Sequence, residues 1–269
     1  EMPIPSSGDW QDMVRICGVL VDHWESRGSL VLADFEGEFT GFEGELSTAA
    51  FMRTSAIDPK GLGPLSGEAS VGETGLLVDM RCPEGVLVVK RIMESARIIK
   101  AVWGADSDVT SLMHAPAANP LSIASSSVVD VQLGFCTPSK RLSMSKMLLR
   151  VPPKRIERLP SKASAVDFVS KQALNQRAIP FPLVRSAAVY AVDDLHRLDI
   201  VLRCQRPPAG NYMEARHHSE AFVCRLRSIP GSVAADKLQH YTHMLEHRKG
   251  LEKQAVAVKI KRHCLAVAL

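Results

Sequence analysis

The sequence predicts an α/β protein in which a mixed sheet begins as a strand meander and continues as strands separated by helices. Three observations lead there. Short apolar runs at residues 29–35, 46–52 and 75–79 follow one another with no helical period between them. From Gly85 the apolar spacing changes to three and four residues, at Val86, Val89, Ile92 and Met93. Beyond that, apolar runs at residues 98–103 and 128–131 are separated by a further helical stretch. The resulting order, β-β-β-α-β-α-β with helices after it, is a layered α/β arrangement of the ribonuclease H-like kind, with a mixed sheet flanked by helices.

Each element has a local reason. Val14, Cys17, Gly18, Val21 and Trp24 fall near a helical period, so residues 12–24 form a lead-in helix that stops at Arg27-Gly28. The run Leu30-Val31-Leu32-Ala33 makes the first strand apolar on both faces, which implies burial on both sides. Residues 56–75 are dense in glycine and read as an exposed loop. Gly104-Ala105-Asp106-Ser107 supplies a turn with capping residues ahead of a helix that includes Asp108, Leu112 and Met113. Residues 141–149 read as helical, and residues 151–162, broken by Pro152, Pro153 and Pro160, as an exposed basic loop. Another helix is expected at 166–174. Val184, Ala187, Ala188, Ala191, Leu195, Leu198 and Leu202 then mark the clearest amphipathic helix of the chain.

Composition narrows the class. Apolar residues make up 46% and charged residues 23%, ordinary for a globular protein, and no run of 18 apolar residues offers a membrane span. The 6 cysteines are scattered without a CxxC pair, which predicts reduced thiols and an intracellular compartment, mitochondrial or nuclear, although no targeting segment is visible. The net charge of +4 is uneven, because Arg203 onward holds 12 Lys and Arg against 5 Asp and Glu. A basic extension on a mildly acidic body suits either a polyanionic partner or a solvated helix. The Arg206-Pro207-Pro208-Ala209-Gly210 break divides the chain into a lead-in at 1–28, an α/β domain at 29–205 and a basic, partly helical extension at 206–269, with a helix expected at 233–249.

Carboxylates gather at the ends of these apolar elements. Asp34 and Glu36, spaced i, i+2, share one face of the first strand, where they mark either its exit into solvent or a cation site. Asp108 opens a helix, and Tyr190 and Asp194 lie one turn apart on the late helix. The stretches Val31-Leu-Ala-Asp34-Phe-Glu36-Gly37, Lys100-Ala-Val-Trp103-Gly-Ala-Asp-Ser-Asp108-Val-Thr-Ser-Leu112 and Tyr190-Ala-Val-Asp-Asp194-Leu-His-Arg-Leu198 resemble, in order, the three motifs of the DEDDy 3′-5′ exonucleases. The likeness is greatest to the ribonuclease D and Egalitarian-type branch and spans residues 29 to about 202. Val129-Asp130-Val131-Gln132-Leu133 resembles the family's D-x-Q-L strand. Trp103 stands where the family usually has His, a departure that bears on how the substrate backbone is supported.

The resemblance implies that Asp34, Glu36, Asp108 and Asp194 hold two divalent cations, Mg2+ or Mn2+, and that Tyr190 orients or deprotonates the attacking water. It selects Asp194 over Asp193 and leaves Asp106 as a helix cap. The implied activity is removal of nucleoside monophosphates from the 3′ end of single-stranded RNA, ahead of DNA. A nucleic-acid or protein-binding module of a ribonucleoprotein assembly is the alternative. Phe35, Trp103, Lys154, Arg155 and Arg158 are the expected nucleic-acid contacts. His240, His243, His247, His263 and Cys264 have no compact zinc spacing, and a solvated helix face explains the first three better.

Overall fold

The structure, a computed structural model, describes residues 7–38, 45–56, 75–114, 121–135, 142–156, 185–205 and 209–228. Helix α1 (Ser7–Ser26) leads into strands β1 (Leu30–Glu38), β2 (Glu45–Arg53) and β3 (Gly75–Asp79). Helix α2 (Pro83–Glu94), strand β4 (Ile99–Val102), helix α3 (Asp106–His114) and strand β5 (Val128–Asp130) follow. The short helices α4 (Gln132–Phe135), α5 (Met144–Leu148) and α6 (Pro153–Ile156) precede two long ones, α7 (Arg185–Cys204) and α8 (Ala209–Ser228).

The sheet order is β3-β2-β1-β4-β5. The first three strands pair antiparallel, while β4 and β5 run parallel to β1, so the sheet is mixed and flanked by helices as expected. Gly28, at φ +59, turns the chain out of α1 into β1 in a left-handed conformation that costs glycine nothing.

Alternation along β1 divides the core. Val31, Ala33 and Phe35 face Val21 and Trp24 of α1, Val89, Ile92 and Met93 of α2, and Phe222, Val223 and Leu226 of α8. Leu30 and Leu32 face Leu195, Leu198 and Leu202 of α7 and Tyr212 and Ala215 of α8. A third cluster joins Leu142, Met147, Leu148 and Val151 to Val201 of α7.

Several local expectations change. Helix α1 starts earlier than residue 12, and β1 runs through Glu36 to Glu38. The D-x-Q-L segment is a strand only as far as Asp130; Gln132–Phe135 is a helical turn, because the Asp130 carboxylate takes the Gln132 N–H (3.0 Å) and bends the chain out of the sheet. The helix expected at 141–149 is confined to Met144–Leu148, and part of the proline-broken basic loop winds into Pro153–Ile156, since Pro suits the first turn of a helix. Helix α8, beyond residues 206–208, contributes Phe222, Val223 and Leu226 to one core cluster and Tyr212 and Ala215 to the other. The helices expected at 166–174 and 233–249 and the loop at 57–74 lie outside the described residues.

Candidate metal centre

The period of two along β1 puts Asp34 and Glu36 on the α7 side, in line with Leu30 and Leu32. At Glu36 the ladder with β2 shifts register, Glu36 facing Thr48 and Gly37 facing Leu46. The extra residue is Ser47, whose hydroxyl donates to the Glu36 carbonyl at 3.0 Å. Such a bulge bends the strand and re-aims the side chains beside it.

Helix α7 lies over this face. Its leucines pack on β1 and β2, and its polar flank is anchored to the end of β2: Thr54 Oγ1 donates to Asp199 at 2.5 Å, and Arg203 donates to Asp199 at 2.7 Å and to Ser55 Oγ at 3.3 Å. Docked this way, α7 delivers Asp194 to Asp34 and Glu36. Each of the three offers an oxygen atom, and these atoms lie within 4.8 Å of one another. All three side chains are half-buried.

Like charges so placed repel by roughly 4 kcal/mol per pair at ~4 Å and an effective dielectric near 20. An all-oxygen, carboxylate donor set suits a hard divalent cation, which offsets that repulsion. Asp193 has a different environment. It is buried and ion-paired with Arg197 one turn on, so the two adjacent aspartates divide between the hydrophobic interior and the carboxylate group.

The other expected site residues are placed unequally. Asp108 is half-buried in the first turn of α3, outside the three-residue group. Tyr190 belongs to α7, one turn before Asp194; its side chain lies outside those described. Lys154 and Arg155 are exposed on α6, and Arg158 is outside the described residues. Trp103 is half-buried against Phe135, ring centroids 5.7 Å apart, between the two clusters that pack on α7.

Phe35 requires a correction. Expected as a contact for a base, it is 3% exposed and meets Phe51 edge-on with centroids 5.8 Å apart. The alternation that aligns Asp34 with Glu36 turns the residue between them into the opposite core.

Two buried ionic groups carry no catalytic expectation from the sequence. Asp130, fully buried, accepts from the backbone N–H groups of Gly104, Ala105 and Gln132, each at 3.0 Å. It thereby holds the turn from β4 into α3, where Gly104 adopts φ +80, and so the segment that carries Trp103 and Asp108. An acidic residue ending an apolar strand was the available signal. Lys100, on the face of the sheet opposite Asp34 and Glu36, donates to the Ser95 carbonyl at 2.7 Å and to Ser127 Oγ. Burial pushes its ammonium down to about 7, opposed by attraction to Glu25.

No protein-family model and no curated protein matches the sequence. Solved structures do match. Trypanosoma brucei RNase D is similar at 14% identity with a TM-score of 0.55, over 85% of this chain and 78% of that one. Its complex with RNA U12 gives 14% identity and a TM-score of 0.52 over 85% and 76%, and its GMP complex 14% and 0.51 over 85% and 69%. At that identity the likeness is one of fold.

Proposed function

We propose that this chain, which has the fold of the DEDDy-type 3′-5′ exonucleases, hydrolyses phosphodiester bonds from the 3′ end of single-stranded RNA and releases nucleoside monophosphates. One observation carries the reading: carboxylates from β1 and α7, far apart in sequence, converge within 4.8 Å on a half-exposed face of that fold. A fold needs no such cluster for its own stability, and like charges brought together weaken it.

Asp34, Glu36 and Asp194, with Asp108 from α3, hold two Mg2+ or Mn2+ ions in this reading. Bound ions of that kind polarise a phosphoryl oxygen and make water a stronger nucleophile near neutral pH. Tyr190, one helical turn before Asp194, orients the attacking water through its phenol or, as the phenolate, takes up its proton. Asp130 keeps the β4-to-α3 turn in the shape that presents Asp108. RNA is favoured over DNA because one of the similar structures is an RNase D bound to RNA.

The test is incubation of the purified chain with 5′-labelled single-stranded RNA and DNA in Mg2+ or Mn2+, beside EDTA and Asp34→Asn. A ladder shortening from the 3′ end of RNA, lost in both controls, is expected. No ladder with either metal, or a ladder that persists in Asp34→Asn, refutes the proposal, and faster shortening of DNA moves the substrate class.

A further inference from the structure

We propose that α5, α6 and the turn between them form a docking platform for the phosphate backbone of single-stranded RNA, upstream of the 3′ end held at the carboxylate group. The inference rests on the nuclease reading only for which end of the strand lies where.

Residues 142–156 contain Lys146, Arg150, Lys154 and Arg155 and no Asp or Glu. All four cations are exposed, and among the described residues no acidic side chain pairs with any of them. Met147, Leu148 and Val151 turn inward against Val201 of α7, which leaves the cations on the outward side. The turn is anchored, since Gln205 donates to the Arg150 carbonyl at 2.6 Å and Arg150 N donates to the Met147 carbonyl at 3.0 Å. Leu149, among the four cations, is 85% exposed, the most exposed large apolar side chain among the described residues. A nucleic acid presents an apolar base face beside each anionic linkage, which suits this mixture; a chain of carboxylates presents only the charge.

Helix α7 acts as the ruler. Val201, against which the platform packs, follows Asp194 by seven residues, about 10 Å at 1.5 Å per residue. That is the reach of roughly three stacked nucleotides at ~3.4 Å each. A strand whose terminal phosphodiester sits at Asp34, Glu36 and Asp194 meets the four cations a few nucleotides upstream.

The test measures binding in EDTA, so that it does not depend on hydrolysis. An oligouridylate of about 12 nucleotides is titrated against the wild type and against a variant carrying Lys146→Glu, Arg150→Glu, Lys154→Glu and Arg155→Glu. The variant should bind at least about tenfold more weakly, and the slope of log affinity against log salt should fall by about 3, at ~0.7 per phosphate contact. A set with Gln at the same positions should lower the slope similarly, and it keeps the test decisive if charge reversal disturbs folding. Affinity within about twofold of wild type with an unchanged slope overturns the proposal. Poly-glutamate competing as well as an equally charged oligonucleotide overturns the RNA assignment. A wild type that binds but never hydrolyses removes the nuclease reading and leaves the platform standing.

Discussion

The C-terminal ends of β1 and β5 both carry carboxylates, and the chain treats them in opposite ways. At β5, Asp130 is fully buried and three backbone N–H groups converge on it, so its charge is compensated by the turn it organises. At β1, Asp34 and Glu36 stay half-exposed and meet a third carboxylate from α7. Burial of a charge marks architecture here, and in the proposed function convergence of like charges on a half-exposed face marks chemistry. Asp193 and Asp194 repeat the contrast within two residues, one paired with Arg197 in the interior and the other aimed at β1.

Substitutions should separate the two classes. The largest effect is expected from Asp34→Asn, which should cut 3′-end hydrolysis by about a thousandfold or more while leaving thermal stability unchanged or raised, because one repelling charge is gone. Melting curves with added Mn2+ sharpen the point: the wild type should be stabilised by the ion and the variant much less. A variant that loses both activity and fold would break the contrast. Asp130→Ala should do the reverse, lowering stability by about 2–4 kcal/mol in denaturant melts through the stranded N–H groups. Activity per folded molecule should fall far less than in Asp34→Asn.

Lys100 offers a pH test of the buried class. Its folded-state value of about 7 lies below the ordinary lysine value of 10.5, so between these pH values the unfolded chain holds a proton that the folded chain has released. Stability should therefore rise with pH across that window, and below it the full cost of burying the ammonium remains. Relative to Lys100→Met, the wild type should gain on the order of a few kcal/mol between pH 7 and 10, measured by denaturant midpoints. Parallel pH profiles for the two proteins would show that the ammonium is better compensated than its burial suggests. The smallest effect belongs to Phe35→Leu. It should cost about 1 kcal/mol of stability through imperfect packing and leave RNA affinity within about twofold, where a base contact would have cost more.

How much of this was legible follows from the range of the interactions. The α7 leucines repeat at helical spacing, and Tyr190 and Asp194 stand one turn apart, so the element and its register could be read locally. The i, i+2 step of Asp34 and Glu36 is likewise local. Phe35 was legible in principle, since that same step sends it to the face opposite Asp34 and Glu36. The bulge at Glu36 depends on where Ser47 falls across the ladder, and the turn after Asp130 depends on a side chain bonding to backbone; neither leaves a periodic trace. Helix α8 was missed because Tyr212, Ala215, Phe222, Val223 and Leu226 are spaced among polar residues and serve two separate clusters.

That last helix also sets a condition on synthesis. Val21 and Trp24 share a hydrophobic cluster with Phe222, Val223 and Leu226, which leave the ribosome about 200 residues later. At about 5–20 residues per second, roughly 10–40 s pass while the early apolar face waits for its cover. Until residue 228 has emerged, the cluster of Val21 and Trp24 can close only against earlier elements, β1, β2 and α2 among them, and α8 completes it last.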